Sequence, residues 1–218
     1  MAGGYHKVSD LPVLIPVFPL DGAVLLPGCQ LPLHIFEPRY LNMVDDAMSG
    51  SRLIGMIQTR AGGGRTNPNL ADVGCAGRIT AYAETGDGRY MITLTGICRF
   101  GAGEELAAPT PYRQLRPDFD RFVRDLEDDE SEVVLDRGRF LAVLRRYLDH
   151  KGLDVEWDAA RQAPAGALVN SLAMGLPLDP PEKQALLEAA TLAERGQVLA
   201  ALLEIDAAAD DDEPPPLQ

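Results

Sequence analysis

Lysine is almost missing from this chain: Lys7, Lys151 and Lys183 are the only three among 218 residues, and the formal net charge is −13. Proteins that hold nucleic acid or an anionic membrane use clustered cations, which displace counterions and steer the encounter. No such cluster is visible, so DNA is excluded as a partner, and RNA and a membrane surface are disfavoured. Cysteine is scarce as well. Cys29, Cys75 and Cys98 are odd in number, far apart and set among apolar neighbours. Without a CxxC pair a zinc site is not expected, and the thiols read as reduced and buried. Long apolar runs are absent too. No segment approaches the roughly 20 residues that span a bilayer. The polar opening MAGGYHKVSD and the breaks at Pro12, Pro16 and Pro19 do not form a signal peptide. The expected location is the cytoplasm.

The motifs of several chemistries are also missing. A phosphate-binding loop ends in Gly-Lys-Ser/Thr, and none of the three lysines follows a glycine. The serines at 9, 49, 51, 131 and 171 stand in no GxSxG elbow. The glycines of AGGGRTN (61–67) lack GxGxxG spacing and follow no clear strand. The acidic run 125–132 lacks the alternating ligands and glycine turn of a calcium loop, and reads as a solvated linker. His34, between Leu33 and Ile35, reads as a structural or rim histidine rather than a general base, because no partnered nucleophile is evident. No cofactor, metal or catalytic residue is expected.

What is present is a core. With 46% hydrophobic residues the chain can bury a substantial interior. Its character changes near residue 120. Before that point short apolar stretches alternate with turn residues; after it glycine becomes scarce and apolar residues recur at helical spacing. Leu14–Leu20, Ala23–Leu26 and Leu31–Phe36 read as strands, with Pro27-Gly28 as a turn. Pro16 and Pro19 would face opposite edges, which no regular central strand tolerates, so the chain is expected to turn or run along an edge there. Pro38 opens a helix that stops at Gly50. Arg52–Gln58 is a strand, and 59–69 a mobile loop. Gly77–Glu84 and Arg89–Phe100 flank a hairpin turn at Asp87-Gly88. In the second of these strands Tyr90, Ile92, Leu94, Cys98 and Phe100 share one face, and Thr93, Thr95 and Arg99 the other, with Gly96 marking a bend or bulge. Tyr112–Leu115 closes the strand series. Residues 118–132 read as an acidic connector. Helices are expected over 133–150, with Phe140, Leu141, Leu144, Tyr147 and Leu148 on one stripe, and over 165–174. A third begins at Asp179-Pro-Pro-Glu182, and a last one at the capping box Thr191–Glu194. Trp157 reads as a packing anchor. The tail DAAADDDEPPPLQ is expected to be disordered.

Several segments, in order, carry a family likeness: PVFPL (16–20), LLPG (25–28), LPLHIFEPRY (31–40), DVGCAGRI (72–79), TGICRF (95–100), LVNSLA (168–173), EKQALLE (182–188) and TLAER (191–195). Together they resemble the amino-terminal, substrate-binding domain of ATP-dependent Lon proteases, and are most similar to bacterial proteins made of that domain alone. The resemblance covers about residues 12–205. It implies an α+β fold: a PUA-like six-stranded pseudobarrel with one short helix, followed by a C-terminal helical bundle. The implied layout is a flexible N-terminus (1–11), the β-rich domain (12–118), an acidic connector (119–131), the bundle (132–206) and a disordered acidic tail (207–218). The peptidase serine and lysine of full-length Lon have no counterpart, so the implied role is non-catalytic. The expected ligand is unfolded or degron-bearing polypeptide, or a protease or chaperone partner. Leu26, His34, Phe36, Arg39, Tyr40 and Arg99 are the expected contacts. RNA binding, as in other PUA-like barrels, and an unrecognised hydrolase are the alternatives.

Overall fold

The computed structural model describes residues 4–64, 67–127 and 136–209. The chain divides into two units, Met1–Glu130 with Leu178–Leu187, and Ser131–Pro177 with Glu188–Gln218.

The first unit is built on a mixed sheet of six strands: β1 (Ile15–Pro19), β2 (Gln30–Ile35), β3 (Leu53–Gly64), β4 (Asn67–Glu84), β5 (Tyr90–Leu106) and β6 (Arg113–Asp118). Their order is β2-β5-β4-β3-β1-β6, and β6 pairs again with β5. Five strands therefore close a ring, while among the described residues β2 pairs with β5 alone. The length of β5 makes this possible. Tyr90–Thr95 carries β2, and Gly101–Leu106 carries β6. This is the expected α+β pseudobarrel. Burial follows the same division. Ile92 and Leu94 alternate with more exposed threonines, but from Gly96 to Gly101 every residue is buried.

β1 holds both prolines and still pairs on two sides, contrary to the turn or edge expected there. It runs parallel to β3 over Val17–Pro19 and antiparallel to β6 over Ile15–Val17. Leu20 N–H donates to the Ile57 carbonyl of β3 at 2.9 Å. Amide directions alternate along a strand, so position 16 would face β3 and position 19 would face β6. Each proline thus lies where its missing N–H has no partner to lose.

Ala23–Leu26 forms no strand. Val24, Leu25 and Leu26 are buried as irregular chain, and the Pro27-Gly28 turn is fastened over β5. Gly28 N–H donates to Gly96 O at 2.9 Å, and Gly96 N–H donates to Cys29 O at 2.9 Å. A Cβ at Gly96 would collide with the Leu26 carbonyl, so close backbone approach explains this glycine. A bulge lies beside it, where the β4 register shifts between Ala76 and Gly77.

The expected mobile loop is instead largely strand. β3 and β4 continue as a paired arm from Thr59↔Leu70 to Gly64↔Asn67, with one register shift at its base, between Ile57 and Thr59, and another within it, between Arg60 and Gly63; residues 65 and 66 lie outside the described residues. Backbone pairing needs no apolar side chains, which is why composition misleads here. Gly62 and Gly63, at φ 97° and 81°, supply the irregular turn geometry. Asp21 anchors the base of the arm by accepting from Thr59 N–H at 2.8 Å and from Thr59 Oγ1 at 2.7 Å.

Helix α1 (Pro38–Ser49) starts at Pro38 and ends at Gly50 as expected. Glu37 occupies the N-cap position without capping through its side chain. The connector is not simply solvated. Asp120–Leu126 forms a 3-10 segment that buries Phe122 and Leu126, and only 128–132 of the acidic run lies outside the described residues. Near the N-terminus Val8–Asp10 makes a single 3-10 turn followed by buried Leu11.

Residues 178–187 belong to this first unit, although the sequence reading groups them with the C-terminal helices. They carry most of the helix Pro180–Glu188, numbered α5 in chain order. Gln58, 2% exposed, binds it to the sheet. Gln58 Nε2 donates to Pro180 O at 2.9 Å and to Gln184 Oε1 at 3.1 Å, while Gln58 Oε1 accepts from Gly22 N–H at 3.0 Å. Gln184 Nε2 reaches Val73 O at 3.1 Å, and Lys183 Nζ reaches Gly22 O at 2.9 Å. Burial holds the Lys183 ammonium below the ordinary lysine range.

The second unit contains α2 (Arg137–Lys151), α3 (Trp157–Gln162), α4 (Ala165–Gly175) and α6 (Leu192–Ala209). Asp136 caps α2 by accepting from Arg139 N–H at 3.1 Å, and Gly152 ends it in the left-handed conformation. Residues 133–135, expected to open this helix, lie outside the described residues. Of the expected α2 stripe, Phe140, Leu144, Tyr147 and Leu148 are buried and Leu141 only partly so, with Leu199 and Leu203 of α6 also in the core. Trp157 begins α3 and lies under the Arg145 guanidinium at 4.5 Å. At the start of α6, Thr191 Oγ1 accepts from Glu194 N–H at 3.1 Å, and Glu194 in turn accepts from Ala190 N–H at 2.7 Å. The acidic tail from 210 onward lies outside the described residues.

Candidate functional site

The six expected contact residues separate into an inner and an outer set. Leu26 is fully buried, Arg99 is 4% exposed and Tyr40 6% exposed. Each of these has a packing role. Leu26 lies over Gly96. Tyr40 stacks on Phe18 with ring centroids 4.2 Å apart, and burial raises its phenol above the usual range. Arg99 is held by Asp125 from the 3-10 segment. Its Nη2 donates to Asp125 Oδ1 at 2.8 Å, its Nε and its own N–H to Oδ2 at 2.9 Å, and its Nη1 to Leu187 O at 3.1 Å. The guanidinium also covers the Phe122 ring at 4.7 Å. Burial opposes this charge, and the Asp125 carboxylate more than restores it.

His34, Phe36 and Arg39 are exposed. Two-residue periodicity places Pro32, His34 and Phe36 on the outward face of β2 and its extension, and the register sets His34 opposite Met91 of β5. Phe36 is 61% exposed and Met91 46%. The His34 ring meets the edge of Phe36 at 6.1 Å. Ala81 and Ala83 of β4 continue the surface, opposite Thr93 and Met91. Arg39 stands beside it, paired with Glu37 at 2.9 Å and lying over Tyr40 at 4.5 Å. The outcome is a weakly polar patch with an aromatic ring, a thioether and an imidazole at its centre, rimmed by one ion pair.

Exposed apolar and aromatic side chains suit this patch to contact. Among the described residues the His34 side chain has its ring contact with Phe36 and no hydrogen-bond partner. Cys75 and Cys98 are buried, and burial pushes the Cys98 thiol up to about 12 and Cys75 well above the ordinary range, so neither is an activated nucleophile. Among the described residues no cluster of three or more His, Cys, Asp or Glu side chains could hold a metal ion, and no helix is long and apolar enough to cross a membrane. Sequence reasoning missed Met91 and Asp125. The β5 alternation does place Met91 on the face of Thr93 and Thr95, which is the signal that could have found it. Nothing in sequence links Asp125 to Arg99.

Similarity to known proteins agrees with this geometry. The family model of the ATP-dependent protease La (LON) substrate-binding domain matches residues 14–204. Lon protease 2 of Myxococcus xanthus is 27% identical over 207 residues, covering 92% of this chain and 24% of that protein. Lon protease of Anaeromyxobacter dehalogenans is 28% identical over 202 residues, covering 89% and 23%. The chain thus spans about a quarter of the curated relatives it matches. Among solved structures, a Lon N-terminal domain protein from Xanthomonas campestris superposes with a TM-score of 0.62 at 26% identity, covering 86% of this chain and 97% of that one. The N-terminal domain of Mycobacterium avium complex Lon protease gives 0.60 at 18% identity, a likeness of fold, over 90% and 98%. With the closed strand ring, the appended β2 and the helices that follow, these matches make the chain a member of the Lon substrate-binding domain family.

Proposed function

We propose that this chain is a non-catalytic polypeptide-recognition domain, and that the outward face of β2 and β5 is its contact surface. The observation that carries the reading is the exposed grouping of His34 on β2 and Phe36 just after it with Met91 on the neighbouring β5, where the strand outside the closed ring joins it. Large apolar side chains gathered at one surface position mark an interaction site more often than isolated ones do. Membership of a substrate-binding family supports polypeptide as the ligand class, either a client with exposed apolar segments or an unfolded stretch of a protease or chaperone partner. The net charge of −13 disfavours nucleic acid and anionic membrane as partners, and is compatible with work in the cytoplasm.

The test is a titration of the full chain into fluorescently labelled, reduced and carboxymethylated α-lactalbumin, which stays unfolded. Binding at micromolar concentration is expected. The double substitution Phe36→Ser with Met91→Ser should weaken it about tenfold, the loss of two apolar contacts, and leave the melting temperature unchanged. Absence of binding by the unaltered chain would remove the reading. A parallel incubation with casein and ATP is expected to show no cleavage and no nucleotide loss.

A further inference from the structure

We infer that β2 accepts an added strand: an extended segment of a different polypeptide pairs along its open edge through the backbone of Gln30, Pro32 and His34. This rests on the recognition reading above and specifies how the ligand is held.

The direction of each backbone group follows from one hydrogen bond. Gly96 N–H donates to Cys29 O at 2.9 Å, so position 29 faces β5. In an antiparallel ladder the N–H and C=O of one residue share an edge, and the edges alternate along the strand. The β2–β5 register runs without a shift from Gln30↔Thr95 to Ile35↔Tyr90. Leu31, Leu33 and Ile35 therefore turn their polar groups to β5, and Gln30, Pro32 and His34 turn theirs outward. Among the described residues these outward groups have no hydrogen-bond partner. Pro32 has no N–H, so the edge offers donors at Gln30 and His34 and acceptors at all three positions.

A row of alternating amides and carbonyls at strand spacing is complemented by another extended backbone. Exposed edges are commonly guarded by charge, yet this strand reads Gln-Leu-Pro-Leu-His-Ile and carries none. Its one guard is Pro32, and the guard is selective. A second copy pairing about a two-fold centred on residue 32, the register that would use all three outward positions, would set two Pro32 carbonyls against each other with no donor between them, and a two-fold shifted to 31 or 33 would use only two of the three. A segment of different sequence, with a free amide opposite Pro32, meets no such conflict. Its side chains on the outer face would lie beside His34 and Phe36, so apolar or aromatic residues suit the alternate positions.

The experiment uses the full chain and the same labelled, carboxymethylated α-lactalbumin, with His34→Ala, His34→Pro and Pro32→Ala. His34→Ala keeps the outward N–H. His34→Pro removes that donor and takes no bond from the β5 ladder. Strand addition predicts that His34→Pro binds about fivefold more weakly than His34→Ala, which has lost the same imidazole but keeps the backbone donor, and that Pro32→Ala strengthens binding several-fold over the unaltered chain, since one net hydrogen bond is worth roughly that factor. If His34→Pro does not fold, Pro32→Ala and slowed amide exchange at Gln30 and His34 on saturation carry the test. An unaltered chain that binds no unfolded polypeptide overturns the recognition reading and strand addition together. Binding that is equal in His34→Ala and His34→Pro, and unchanged in Pro32→Ala, overturns strand addition and leaves recognition standing. A Pro32→Ala chain that dimerises in sedimentation without binding polypeptide more tightly assigns the edge to a second copy, and overturns the proposal as well.

Discussion

Arg99 on β5 and Asp125 in the 3-10 segment form a two-pronged ion pair at 2.8 Å, with their side chains only 5% and 9% exposed. Asp125 also accepts the Arg99 backbone amide, so one carboxylate fixes both the strand and its side chain. The same guanidinium reaches the Leu187 carbonyl of α5. Replacing one partner leaves a buried charge without its counterpart. Asp125→Asn or Arg99→Leu should each cost about 3–5 kcal/mol of unfolding free energy, read by urea denaturation. The joint replacement Arg99→Met with Asp125→Leu should recover most of that loss.

Gly96→Ala would place a methyl group against the Leu26 carbonyl and the Pro27-Gly28 turn. The turn must shift, and the two backbone bonds joining it to β5 shift with it. A loss of about 1–3 kcal/mol is expected, the usual scale of overpacking. Since those bonds set the start of β2, polypeptide binding should weaken in the same variant.

Gln58→Leu removes a side chain that satisfies Gly22 N–H, Pro180 O and Gln184 together. Leaving buried polar groups unmatched should cost about 3 kcal/mol. Amide exchange should accelerate selectively over 180–187, because that segment loses its attachment to β3.

The thiols set an alkaline limit on stability. Burial pushes Cys98 up to about 12, whereas an unfolded thiol titrates near 8.5. Between those values the unfolded chain has released a proton that the folded chain keeps. Stability is therefore intact below the unfolded value and falls as pH rises through the window. Urea melts at pH 7.5 and 9.5 should show a drop that is smaller in Cys98→Val by about 1 kcal/mol. In the native chain the half-exposed Cys29 should react with a thiol reagent well before Cys75 or Cys98.

Much of the architecture was legible because local signals and tertiary packing agree. Pro38 and Gly50 bound α1, Asp87-Gly88 turns β4 into β5, and α2 buries its apolar stripe except for Leu141. The misreadings share a cause: long-range pairing overrode composition. The glycine-rich stretch 61–64 becomes strand because it lies across from 67–70. Ala23–Leu26 has strand composition, but its backbone lacks a ladder and serves the turn over Gly96. Half of the expected contact set met the same fate. Arg99 reads as an exposed-face cation until Asp125, far along the chain, is brought to it. His34 and Phe36 follow the two-residue alternation of β2 and its extension, whereas Arg39 lies in the first turn of α1, beyond that alternation.

Because β1 joins β3 at one end and β6 at the other, the ring is sealed by segments distant in synthesis. Ile15 must await Leu115, roughly 100 residues later, before its outer side is paired. A nascent chain therefore carries two unfinished borders, along β1 and along the far half of β5, until Arg113–Asp118 emerges from the ribosome to join both. The interval open to mispairing and aggregation ends with the arrival of that six-residue strand, and a chain interrupted just before it would keep both borders open.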